Sequence, residues 1–241
     1  MTTKAYIFLK SSIPLFIIIF AMFLVYFLEL GRVFSLETLR EYRHLLKGFV
    51  ESNPLLSPLI YVGIYIFVAA LSIPGAIVLS LSGGFLFTQP YSTLYTVFGA
   101  SLGSTAVFLA ARTALGNCLQ KRAGPLLSRM RLGFQKGAVN YLLFLRLIPI
   151  FPFWLVNLAP AFFSVPLRTF IWTTVVGITP GAFVFTQAGT ALGSILDSKG
   201  VFSVEDLLNN DMKIALFALG IFSLLPILFK KVFKGHVDFE K

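Results

Sequence analysis

The apolar positions of this chain fall in long uncharged runs separated by short charged stretches. Residues 11–28 carry no charge and suffice to span a bilayer once. Residues 32–51 mix Arg32, Glu37, Arg40, Glu41, Arg43, Lys47 and Glu51 with Leu36, Leu39, Leu45, Leu46 and Phe49. That pattern fits an amphipathic helix lying on a membrane surface, or equally a plain solvated helix. Residues 52–111 are 60 positions without a charge. A crossing takes roughly 20 residues, but "SIPGA" at 72–76, "SGG" at 82–84 and "TQP" at 88–90 break the run into shorter helices. The stretch 112–136 is basic and has no acid. Residues 147–167 are uncharged and interrupted by Pro149 and Pro152, and residues 169–196 are uncharged again. An acidic segment, 197–212, a short apolar run, 214–229, and a lysine-rich tail follow.

Composition turns these runs into membrane segments. Hydrophobic residues make up 57% of the 241, charged residues 12%, and the mean hydropathy is +0.86. Soluble domains carry about 25% charged residues, so the chain reads as an integral membrane protein. The net charge of +10 sits at the ends of apolar runs, which is the positive-inside pattern. It also fits anionic lipid headgroups as partners and does not call for nucleic acid. The single cysteine, Cys118, excludes an internal disulfide and reads as apolar filler. His44 and His236 lie in no ligand pattern, so neither metal nor cofactor is expected. No nucleophile–base set or acid pair lies in the apolar segments, so no enzyme activity is expected.

Charge then fixes the sides. The N-terminus, the 112–136 stretch and the tail are placed in the cytoplasm, and the 197–212 loop outside. With one crossing at 91–111 and one at 169–195, the segments 54–89 and 137–167 must each enter and leave on a single side. Both are expected to be re-entrant hairpins, opening to opposite faces. The first apolar run resembles a signal peptide, but no small-residue cleavage site follows it, so residues 1–31 are expected to stay as a transmembrane helix.

The two broken segments belong to an internal repeat. "FLAARTALG" (108–116) matches "FTQAGTALG" (185–193) at an offset of 77, and at the same offset "SIPG" (72–75) falls on "PIFP" (149–152). A GxxxG precedes each match, Gly99/Gly103 and Gly177/Gly181, with small residues suited to close helix packing. Two such units of opposite orientation form an inverted repeat, an arrangement typical of transport folds.

Arg146 sits just before the second break. An arginine at bilayer depth costs roughly 2.5–3.5 kcal/mol on insertion scales, and its fork of donors suits a phosphate. It either binds the phosphate of a lipid or other anion where the hairpins meet, or snorkels or pins backbone carbonyls. Asn157 and Gln187 offer neutral hydrogen bonds to the same region or simply join helices. Arg112 and Arg168 end crossings, where interface anchoring is the ordinary role.

"IPGAIVLSLSGGFLF" (73–87), "GASLGSTAVFLAAR" (99–112) and "RLIPIFPFWLVN" (146–157) followed by "GITPG" resemble the DedA superfamily, the VTT-domain or SNARE-associated Golgi group, and within it the Tvp-type bacterial branch. The resemblance covers roughly residues 55–195. It implies two opposed re-entrant hairpins and movement of lipids between leaflets: scrambling, or flipping of polyprenyl-phosphate carriers. It also implies that Pro74, Gly75, Gly83 and Gly84 form the first hairpin motif, that Arg146, Pro149, Pro152 and Asn157 form the second, and that Arg112 closes the first crossing helix. The chain departs from the pattern at Ala76, where the DedA-type branch has an acid, and at Ala161, near a usual glycine. No acid lies anywhere in 52–196, which speaks against proton coupling through a buried carboxylate.

The expected fold is therefore all-α and membrane-integral. Its parts are an N-terminal transmembrane helix (1–31), an amphipathic surface helix (32–53), a core of two inverted units (54–196) with a basic cytoplasmic linker at 112–136, and an acidic outer loop, last transmembrane helix and basic tail (197–241). The expected function is a lipid scramblase or flippase of the cell membrane, with Arg146, Asn157, Gln187 and Arg112 at its substrate site and phosphate-bearing lipids as partners. A secondary transporter of a small anion and a non-transporting organiser that recruits partners are the alternatives, and a homo-oligomer is compatible with each.

Overall fold

The computed structural model describes residues 20, 38, 41–71, 73, 75–119, 125–147, 151–197, 213 and 217. Apart from Phe20, Asp197 and Phe217, the expected N- and C-terminal transmembrane helices and the acidic loop lie outside the described residues, as do Pro74 and Pro149.

The described chain is helical throughout. Its helices are α1 (Arg43–Ser52), α2 (Leu56–Ala70), α3 (Ala76–Leu86), α4 (Tyr91–Leu119), α5 (Pro125–Leu147), α6 (Phe153–Phe162) and α7 (Leu167–Asp197). The breaks fall where backbone chemistry requires them. α2 stops at Leu71, just before the Ser-Ile-Pro-Gly run, and α3 restarts after Gly75, whose carbonyl accepts from Leu79 N at 2.9 Å. α5 stops at Leu147, and Pro152 opens α6 from an extended conformation (φ −56°, ψ 133°). A second break inside α5, at Gly137 (φ 159°, ψ 89°), leaves a separate apolar segment, Gly137–Leu147.

Two stretches are long and apolar enough to cross a membrane, Tyr91–Thr113 in α4 and Leu167–Gly193 in α7. They match the expected crossings at 91–111 and 169–195, although α4 carries on as helix into the basic stretch that was expected to be a linker. α2, α3, Gly137–Leu147 and α6 have 15, 11, 11 and 10 residues. At 1.5 Å per residue each is shorter than a hydrocarbon core of roughly 30 Å. The outward faces are apolar: Leu59, Ile60, Ile64 and Phe67 on α2, Leu94, Phe98 and Leu102 on α4, and Trp172, Val175 and Val176 on α7 are exposed. In water such continuous apolar faces would be a liability, whereas lipid covers them.

Side-chain pairing gives the direction of each helix. The Tyr65 hydroxyl reaches the Ala76 carbonyl, while Tyr61, one turn earlier, meets Gly83 and Phe87 further on. Contacts therefore move back along α2 as they move forward along α3, and the two form a hairpin. α5 and α6 do the same, through Phe144 on Phe151 and Phe134 on Phe163. α4 runs parallel to α2, with Tyr61 on Thr96, Tyr65 on Gly99 and Ala69 on Gly103. The long helices α4 and α7 are antiparallel, because Phe108 meets Phe170 and Thr93 meets Thr186. Packing is also exchanged between the units: α3 lies on α7, and α6 lies on α4.

The glycines at 82–84 correct one sequence expectation. "SGG" does not break the chain, because α3 runs straight through it to Leu86. Its glycines are contact surface instead. A Cβ at Gly84 would drive into the Thr186 carbonyl, and one at Gly83 into the Tyr61 hydroxyl. The GxxxG pairs divide. A Cβ at Gly99 would lie 2.7 Å from Tyr65 Cβ and one at Gly103 2.6 Å from Ala69 Cβ, so both seat α2 against α4. In the second pair only Gly177 is a close contact, and Gly181 faces open space.

α1 carries no buried residue, and Leu45 and Phe49 are exposed beside its charges. Its Lys47 ammonium lies 4.7 Å from the Phe85 ring centre, which ties the helix to α3.

Candidate functional site

Arg146 stands in the last turn of α5, and the fold turns its side chain inward. A Cβ at Gly177 would lie 2.5 Å from Arg146 Cβ, so only a glycine lets α7 pass this close. The guanidinium Nη2 donates to Thr174 Oγ1 at 2.9 Å. Its carbon lies 5.4 Å from the Phe170 ring centre and 5.7 Å from that of Phe153, so two aromatic faces cover the cation. Nε and Nη1 are shut off from solvent and have no partner among the described residues. Thr174 lies seven residues into the apolar span of α7, roughly 10 Å along its axis. The cation thus lies within the apolar span of α7 rather than beyond its end.

What compensates this charge is partial. A position in the last turn of α5 is favourable for a cation, by about 0.3–1 kcal/mol near a helix C-terminus. Each ring adds about 0.5–2 kcal/mol. No carboxylate exists within 52–196 to complete the set. A buried charge without a counter-charge is expensive, and here three N–H donors, one on Nε and two on Nη1, still await acceptors.

Asn157 is a further open group, as are the buried Ser92, Ser101 and Ser104 hydroxyls of α4. It is fully buried, and both Nδ2 and Oδ1 lack a partner among the described residues. It stands one turn beyond Phe153 on α6, on the side whose first residue covers Arg146.

Arg112 belongs to the same aromatic stack from the other side. It is exposed at the end of the α4 span, and its guanidinium carbon lies 5.9 Å from the Phe108 ring centre. Phe108 and Phe170 are stacked, 4.4 Å between centres and 14° between planes, so two rings separate the exposed arginine from the buried one. Arg168 is exposed, as an interface anchor would be.

Gln187 does not join this group. It is buried 13 residues beyond Thr174, roughly 20 Å along α7. Its neighbour Thr186 belongs to a separate polar cluster. Gln89 Nε2 donates to Thr186 Oγ1 at 2.8 Å, Thr93 Oγ1 donates to Gln89 Oε1 at 2.7 Å, and the two threonine hydroxyls are 2.8 Å apart. Every polar group named there has a partner, so the cluster cements α4 to α7 and leaves nothing open. Of the hairpin-motif residues, Gly75 caps α3, Pro152 opens α6, and Gly83 and Gly84 are helix contacts.

The same region carries the likeness to known proteins. The VTT domain model matches residues 73–191, from the first break to nearly the end of the α7 span. A transmembrane protein 41 homolog of Caenorhabditis elegans is 30% identical over 209 residues, 83% of this chain and 80% of that protein. The chain belongs to the VTT-domain family. A transmembrane protein 41 homolog of Dictyostelium discoideum is 33% identical over 71% of the chain, and human transmembrane protein 41B is 29% identical over 74%. The matches span only 50% and 60% of those two proteins' own lengths. No solved structure matches. The VTT match contains Arg112, Arg146 and Asn157 together with Phe108, Phe153, Phe170 and Thr174. The chain is thus a membrane protein of this family, and its described residues form helices without a strand.

Thr174, Phe153 and Phe170 were not singled out in the sequence. A threonine in a membrane helix ordinarily bonds its own backbone, as Thr173 does to the Thr169 carbonyl at 2.6 Å. The only signal available was the unpaired charge of Arg146, which demands partners but does not name them.

Proposed function

We propose that this protein carries phosphate-bearing lipid headgroups between the leaflets of the membrane, with Arg146 holding the phosphate. The single observation that carries this reading is the buried guanidinium, with Nε and Nη1 unpartnered among the described residues and no acid between residues 52 and 196. A phosphate supplies both the missing charge and the missing acceptors.

The architecture supports the same reading. Each unit is a short-helix hairpin followed by a long helix, the long helices are antiparallel, and the second helix of each hairpin packs on the long helix of the other unit. We read this as an inverted repeat whose hairpins enter from opposite leaflets, with backbone ends meeting in protein rather than lipid. Such a site lets a headgroup pass while the tails remain in hydrocarbon. The basic stretch 112–136 and both termini are then cytoplasmic. No covalent step is involved.

The test is leaflet exchange of an acyl-labelled phospholipid in vesicles containing the purified protein. Exchange well above that of empty vesicles, falling to their level for Arg146→Ala, is the expected result. Uptake of free phosphate with no lipid exchange would assign the same site to a soluble anion. No Arg146-dependent movement of either would reject the proposal.

A further inference from the structure

The two units solve one packing problem with different residues. In the first, Gly99 of α4 faces the Cβ of Tyr65, and the Tyr65 hydroxyl reaches the first turn of α3, 3.3 Å from the Ala76 carbonyl and 3.0 Å from Ser80 Oγ. In the second, Gly177 of α7 faces the Cβ of Arg146, and the guanidinium lies over Phe153, the first residue of α6. Ala76 and Phe153 are 77 residues apart, and so are Ser80 and Asn157. Arg146 is not the counterpart of Tyr65 at that offset, which pairs Tyr65 with Leu142; what links Asn157 to Arg146 is Phe153, one turn before it on α6, whose ring centre lies 5.7 Å from the guanidinium carbon.

In the first unit Tyr65 and Ser80 are closed by their own hydrogen bond. In the second, Arg146 and Asn157 are open. The Nε and Nη1 donors of Arg146 and both ends of the buried Asn157 amide lack partners among the described residues. The open groups define what would close them. Anionic oxygens accept from Arg146 and from Asn157 Nδ2. Oδ1 of Asn157 can only accept, so it needs an N–H or O–H donor from the occupant. Exchanging the amide's oxygen and nitrogen leaves this need unchanged, because both ends are unpartnered.

We propose that Arg146 and Asn157 together read the headgroup: they take phosphate esters that carry a hydrogen-bond donor beside the phosphate, a primary amine or a hydroxyl, over headgroups whose cation is a trimethylammonium without N–H. This rests on the lipid-carrying reading given above and adds a selectivity to it. A trimethylammonium headgroup satisfies Arg146 but leaves one buried acceptor unpaired, which slows its passage by roughly tenfold or more.

The experiment compares three acyl-labelled lipids with identical tails and ethanolamine, glycerol or choline headgroups, in vesicles holding the full chain. The expected result is that the ethanolamine and glycerol lipids exchange about tenfold faster than the choline lipid, and that Asn157→Leu brings the three rates together. Asn157→Ser, which keeps a hydroxyl, serves if the leucine variant does not fold and is expected to narrow the gap. Equal rates in the unmodified protein, or a gap that survives both substitutions, would overturn the selectivity while leaving lipid transport standing. If no lipid moves at all, the transport reading itself has failed. The pair is then judged by thermal unfolding of the detergent-solubilised protein with soluble glycerophosphoethanolamine or glycerophosphocholine. Stabilisation by the first alone supports the pair, and equal or absent shifts overturn it.

Discussion

Replacing Gly84 with alanine tests the seat of α3 on α7, the contact that locks one unit to the other. The new Cβ would overlap the Thr186 carbonyl oxygen and come within 2.5 Å of its carbon and 2.8 Å of its Cα. Non-bonded carbons rest at roughly 3.5–4.0 Å. The obstacle is backbone, so it cannot rotate away. The same interface is held by Gly189 against the Leu81 carbonyl, by Gly193 against the Phe85 ring, and by a Thr190 hydroxyl that donates to the Gly84 carbonyl at 2.9 Å. Separating the helices costs about 1–3 kcal/mol for overpacking and weakens a hydrogen bond worth about 0.6 kcal/mol in a membrane helix pair. Alanine returns at most about 1 kcal/mol of helix propensity. The net loss is about 2 kcal/mol, or a fall in Tm of about 4–8 °C at this chain length. Gly181→Ala is the matched control, because no atom lies within 4 Å of a Cβ there. It gains only the propensity term, up to about 1 kcal/mol. Thermal unfolding of the purified variants in detergent, followed by size-exclusion fluorescence, reads the difference. A Gly84→Ala protein as stable as Gly181→Ala would refute the packing of α3 on α7.

Two further outcomes follow from the same geometry. Tyr61→Phe removes a hydroxyl that donates to the Leu79 carbonyl at 2.9 Å and lies 2.7 Å from Thr96 Oγ1, so stability should drop by about 1 kcal/mol; an unchanged melting curve would show that this hydroxyl does not join α2 to α3 and α4. In a Cys118→Ser background, single cysteines at positions 55 and 140, near the mouths of the two hairpins, should react with a membrane-impermeant maleimide from opposite sides of oriented vesicles, and labelling of both from one side would contradict the opposed hairpins.

The parts legible in the sequence were those where backbone chemistry leaves no choice. α2 ended just before the Ser-Ile-Pro-Gly run, Gly75 and Pro152 opened α3 and α6, and the charge-free runs with Arg112 and Arg168 at their edges marked the two long helices. Gly83 and Gly84 were misread because glycine serves two purposes, breaking a helix in water and admitting a neighbour's backbone in a packed bundle. Only the presence of Thr186, 102 residues away in the sequence, decides between them. Arg146 and Asn157 were legible as polar groups out of place among apolar ones. Gln187 looked like their companion by residue type, yet the rise of α7 carries it to the other end of the helix. The partners Thr174, Phe153 and Phe170 depend on which helix faces meet, and local pattern holds no record of that.

The central claim is that Arg146 receives a phosphate headgroup inside the apolar layer. It is tested most directly by photocrosslinking in nanodiscs, using a phospholipid whose diazirine is attached beside the phosphate, followed by mass-spectrometric mapping of the adducts. The account predicts labelled peptides containing Phe153, Phe170 or Thr174, and their disappearance in Arg146→Gln. Label confined to the exposed faces of α1, α2 and α4, or an unchanged pattern in Arg146→Gln, would contradict it.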